Sequence, residues 1–166
     1  MKQCKYNLTP KYRKTKLEKL VDMCESPIEI IFLESIYNKL GNKWKIEPQV
    51  KIDNFRVDFL ISSKSGKMID RYTKGLVIEC NGKEFHSEVE KCRKDQLRAN
   101  YLNLIGYRVF PFRGKAIYND MDEIIRFIKW YLTTELKPDP CMSPADMRNL
   151  DFWNGREEFV LSDILL

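Results

Sequence analysis

Apolar residues recur with helical spacing at Ile28, Ile31, Phe32, Ile36 and Leu40, directly after Ser26-Pro27-Ile28-Glu29. Serine is a favoured N-cap, proline suits the first helical position, and glutamate three residues past the cap completes a capping box. The pattern predicts a helix that ends at Gly41. The period then changes to two. Ile46, Pro48, Val50 and Ile52 alternate with polar residues, which predicts a strand with Pro48 near an edge or at its start. Asp53-Asn54 reads as a turn, and Phe55–Ile61 as the return strand. In that strand Val57, Phe59 and Ile61 are expected on one face, with Arg56, Asp58 and Leu60 on the other.

Ser62–Gly66 reads as a loop, and 67–74 follows neither period. Leu76–Cys80 has the composition of a central strand in which Val77 and Glu79 share a face. A second capping box, Ser87-Glu88-Val89-Glu90, starts a helix expected to run to about Ile105 and to stop at Gly106. Tyr107–Phe112 reads as a strand. A helix follows from Asp120–Glu123, with Ile124, Ile125, Ile128, Tyr131 and Leu132 as its apolar stripe. Lys14–Val21 predicts a short helix within a basic N-terminal arm, 1–25. Beyond the expected core, 26–133, residues 134–166 read as a linker and a tail whose Phe152, Trp153, Phe159 and Ile164 could pack back, dock a partner or self-associate. A strand–helix–strand step needs a crossover, so the expected fold is α/β: a mixed sheet flanked by helices in αβββαβ order.

Two carboxylates interrupt this pattern. Asp58 and Glu79 each sit inside an otherwise apolar strand, where an ionised acid is costly to bury without a neutralising partner. Two of them on neighbouring strands suggest a shared cation.

Composition narrows the field only modestly. The 166 residues fit one domain with a real core, and 43% hydrophobic with 32% charged residues is ordinary for a globular chain. No apolar run approaches a membrane span, and the lysine-rich N-terminus does not read as a signal peptide. Five scattered cysteines without a C-x-x-C favour free thiols, hence an expected cytoplasmic setting. A net charge of +5 is compatible with a polyanionic partner.

The motifs S-P-I-E (26–29), E-P-Q-V (47–50), R-V-D-F (56–59), V-I-E-C-N-G (77–82), His86, D-Q-L-R (95–98) and L-I-G-Y-R-V-F-P-F (104–112) jointly resemble the PD-(D/E)XK nuclease superfamily. Within it they look most like the branch related to very-short-patch-repair endonucleases (Vsr-like) and their bacterial relatives. The resemblance implies a Mg²⁺-dependent endonuclease acting on DNA, with RNA as a further possible substrate and Mn²⁺ as a substitute ion. It implies a helix Glu, a strand Asp and a strand Glu, which fall here on Glu29, Asp58 and Glu79. Asp58, Glu79 and the Cys80 backbone carbonyl would hold the metal, one or two carboxylates sufficing for this ion.

The superfamily often carries lysine two residues after the strand acid, where this chain has Asn81. Lys83, His86, Gln49 and Lys51 are the candidates for its work. His86 is the only histidine and titrates in a useful range, but the capping box alone explains Glu29, and a Cys80–His86–Cys92 zinc site lacks good ligand spacing. Lys91, Arg93, Lys94, Arg98 and Arg113 are candidate phosphate contacts, with a solvated face as the bland alternative for the helical ones and pairing to Asp95 or a site acid as the alternative for Arg98. The rival reading of the whole chain is a non-catalytic nucleic-acid-binding or adaptor module, motivated by the missing lysine.

Overall fold

The computed structural model describes residues 14–82 and 89–133. The C-terminal tail, Lys83 and His86 lie outside the described residues, as does the side chain of Lys91. The elements run α1 (Lys16–Val21), α2 (Pro27–Leu40), β1 (Trp44–Ile52), β2 (Phe55–Ser63), β3 (Gly75–Asn81), α3 (Val89–Leu104), β4 (Tyr107–Arg113), α4 (Gly114–Asn119) and α5 (Met121–Thr133).

The strands form one mixed sheet in the order β1-β2-β3-β4. Antiparallel pairing joins β1 to β2 and β2 to β3, while β3 and β4 are parallel with α3 as the crossover. Pro48 accordingly sits on an edge strand, where a missing N–H costs little. The α/β architecture expected from the sequence is the one observed.

Helices cover both faces. On one, Phe32, Leu33 and Ile36 of α2 join Phe59, Ile61, Leu76, Ile78 and Phe112 of the sheet, with Ile124, Ile128 and Tyr131 of α5. The stripe predicted for α5 is buried as expected. Leu17, Leu20 and Val21 of α1 also pack against this cluster. On the other face, Leu60 and Val77 pack against Leu102 of α3. At the α3–β4 junction Gly106 takes φ +96°, and a Cβ there would lie 3.2 Å from the Tyr72 carbonyl. No helix among the described residues is long and apolar enough to cross a membrane.

Two details differ from the expectation. Val57 belongs to the α3-side cluster, while Phe59 and Ile61 belong to the opposite one. The alternation of β2 therefore breaks at Asp58, opposite which Gln49 adopts a left-handed φ of +53°. Helix α4 was not anticipated, because its six residues are too short to display a period and no side chain caps its start.

Candidate active site at the open end of the central strands

The β2–β3 ladder closes at Phe59↔Ile78. Past that pair the Asp58 carboxylate takes the place of a backbone acceptor: its Oδ2 receives the Cys80 N–H at 2.7 Å. Glu79 follows on β3, and its Oε1 accepts from Arg98 of α3 at 2.7 Å. The same guanidinium donates to the Arg56 carbonyl at 2.6 Å, so Arg98 ties α3 to both strands. Its Nε is buried and has no hydrogen-bond partner among the described residues.

Glu29 is 6% exposed at the start of α2. It accepts from Ser26 Oγ at 2.7 Å, the Glu25 N–H at 2.9 Å and Gln49 Nε2 at 2.9 Å. Both its oxygens are thereby engaged. Ser26 in turn accepts the Glu29 N–H as N-cap. Ser26→Ala is expected to destabilise the chain by about 1 kcal/mol, read as a lower urea midpoint at unchanged slope.

These acids act on one another. Burial raises the Asp58 pKa; the Cys80 N–H opposes this, and the Glu29 charge reinforces it. Burial first and Asp58 second push Glu79 up to about 7, against the pull of Arg98. Burial and all three carboxylates also raise the Cys80 thiol far above its usual range. Cys24 is pushed up to about 11 by burial and by Glu29 and Asp58. A thiol held this firmly protonated is a poor nucleophile. The open end of β2–β3 is thus a region of excess negative charge among the described residues, only partly offset by Arg98 and Arg56.

A hard divalent cation suits that imbalance. Among the described residues no group of three or more His, Cys, Asp or Glu side chains is placed to hold a metal ion. Mg²⁺ does not need such a group, since it retains waters beside one or two carboxylates. Asp58 Oδ1 and Glu79 Oε2 have no hydrogen bond among the described residues, which leaves one oxygen of each acid for such an ion.

The remaining candidates are scattered. Of the two expectations for Arg98, a phosphate contact or a pairing with Asp95 or a site acid, the structure shows the pairing, with Glu79 and with the Arg56 carbonyl besides. Gln49 is engaged with Glu29, and Lys51 is exposed on the edge strand. Arg93 and Lys94 are exposed on α3, and Arg113 is exposed where β4 faces Asn81. Sequence reasoning had no signal for the aromatic cleft beside Arg98, where Phe55 meets Tyr101.

No curated protein matches the chain. Among solved structures, "Homing Endonuclease I-Bth0305I Catalytic Domain" aligns at 20% identity with a TM-score of 0.47, covering 68% of this chain and 100% of that one. A family model described as REase_MTES_1575 matches residues 32–131, a span that includes Asp58, Glu79 and Arg98. That span is more than half of the 166 residues, and the chain belongs to this restriction-endonuclease-like family of PD-(D/E)XK-like nucleases.

Proposed function

We propose that the chain is a Mg²⁺-dependent endonuclease that hydrolyses phosphodiester bonds of DNA, on the branch related to very-short-patch-repair enzymes. The observation that carries this is the pair of half-buried acids at the open end of β2–β3, one held by the Cys80 N–H and the other by Arg98, with burial and a neighbouring carboxylate raising the proton affinity of each. Asp58, Glu79 and the Cys80 carbonyl would hold the ion, and Mn²⁺ would substitute. Bound there, Mg²⁺ supplies Lewis-acid stabilisation of the phosphate charge and lowers the pKa of a coordinated water.

The protein's own groups do the rest. The Cys80 N–H fixes the Asp58 carboxylate, and Arg98 fixes that of Glu79, so neither acid must reorganise when substrate arrives. Glu29, anchored by Ser26 and Gln49, keeps a third negative charge beside the pair without offering a spare oxygen. Lys83 or His86 takes the work of the superfamily lysine, as phosphate contact or proton carrier. Arg93, Lys94 and Arg113, with Lys91, steer the backbone phosphates and give binding a steep salt dependence.

The test is conversion of supercoiled plasmid to nicked or linear forms with Mg²⁺ or Mn²⁺, arrested by EDTA. A structured RNA is run in parallel, because it carries the same linkage. Absence of cleavage under every ion condition overturns the hydrolytic reading. Metal-independent binding without cleavage would establish the rival adaptor, a reading favoured by the Arg98 guanidinium already resting on Glu79.

A further inference from the structure

Between the β1–β2 turn and α3 lies a cleft of about 520 Å³, lined by Asn54, Phe55, Lys94, Leu97, Arg98 and Tyr101. Leu97 is 58% exposed and Tyr101 40% exposed. Single exposed apolar residues need no explanation, but here two exposed ones and the half-buried Phe55 surround a concavity of ligand size. The rings of Phe55 and Tyr101 stand 5.6 Å apart at 59°, so they form an open angle instead of covering one another. The Tyr101 hydroxyl donates to Asp53 Oδ2 at 2.7 Å, which fixes its ring against the turn. Arg98 lies 5.9 Å from the Phe55 ring centre while its Nη2 reaches Glu79, so one side chain is shared by the cleft and the candidate active site.

We propose that this cleft is a subsite for an unpaired nucleobase of the nucleic acid engaged at Asp58 and Glu79. The identity of the ligand rests on the nuclease reading. An aromatic wall accepts the face of any base, and such stacking requires a base whose faces are not already covered within a duplex. The Asn54 amide offers both a donor and an acceptor to a base edge. Exposed Arg93 and Lys94 lie on the same helix, where a connecting backbone phosphate would pass. The substrate class is therefore nucleic acid with an unpaired position beside the scissile bond: a single strand, a frayed end or an extruded base.

The experiment uses the full chain in EDTA, so that binding is read without cutting. The probes are an oligothymidylate carrying one 2-aminopurine and the same sequence fully paired. The single strand is expected to bind with a change in 2-aminopurine fluorescence caused by stacking. Tyr101→Ala and Leu97→Ser should each weaken that binding by about tenfold or more, while Tyr101→Phe retains it and duplex affinity is unchanged. Leu97 is exposed, so its substitution reports on the cleft and not on folding. Wild-type affinity in both disruptive variants, or equal losses on single strand and duplex, overturns the subsite. A chain that cuts plasmid yet shows that pattern loses the subsite and keeps the nuclease reading. One that binds with the fluorescence change and never cuts keeps the subsite and loses hydrolysis.

Discussion

Asp58→Asn is expected to lower Mg²⁺-dependent cleavage by roughly a thousandfold or more, with the fold intact. The substitution preserves shape, and the amide oxygen can still accept the Cys80 N–H that the carboxylate accepts at 2.7 Å. What it removes is the negative charge and the second oxygen, replaced by an amide donor facing the place a cation would occupy. A bound metal supplies several kcal/mol of charge stabilisation in the transition state, and each ~1.4 kcal/mol is a factor of ten in rate. Stability should not fall, because burial already raises the Asp58 pKa and so favours a neutral group there. The checks are plasmid cleavage under saturating Mg²⁺, Mn²⁺ titration calorimetry and a thermal melt. An asparagine variant that cuts within about tenfold of wild type at an unchanged melting temperature would remove Asp58 from the site.

The fold was legible where local chemistry and period agree. Ser26 caps α2 as its position predicts, whereas Glu29 turns its carboxylate to the Ser26 hydroxyl and the Glu25 N–H instead of closing the capping box on the Ser26 N–H, and Asp58 reaches the β3 backbone beside Glu79. The break in β2 was not legible, because it depends on a cross-strand event. Asp58 reaches a backbone N–H on β3, and Gln49 takes a left-handed conformation on the opposite strand. No period within β2 encodes either. The Glu79–Arg98 pair was one of several partners open to Arg98. Nineteen residues separate the two in sequence, and only the packing of α3 on the sheet brings them together. The cleft lay further still from view, since Phe55 looks like a strand residue and Tyr101 like a helical one until the turn and α3 are brought together.

Glu79→Gln is expected to make the metal-free chain more stable at pH 8 while eliminating cleavage. The Glu79 carboxyl moves from an ordinary 4.5 to about 7 on folding, with burial the first cause and Asp58 the second. Between those values the folded state holds a proton that the unfolded chain has released. The stability this group contributes is therefore complete below about pH 4.5 and is lost as pH rises through about 7. The shift corresponds to about 3 kcal/mol, an upper value because glutamine also leaves Arg98 without its anionic partner at 2.7 Å. Glutamine mimics the protonated acid at every pH, so the variant should lack this component of the decline. Urea unfolding of both chains in EDTA at pH 5 and pH 8 reads the effect of this carboxyl together with its coupling to Asp58. The two are expected to be nearly equal at pH 5 and to diverge at pH 8 in favour of glutamine. Mg²⁺ binds the ionised acid, so its addition at pH 8 should raise the stability of wild type and leave the variant unmoved. A glutamine variant less stable than wild type at pH 8 would mean that the ion pair with Arg98 outweighs burial, and that Glu79 belongs to the scaffold and not to a cation site.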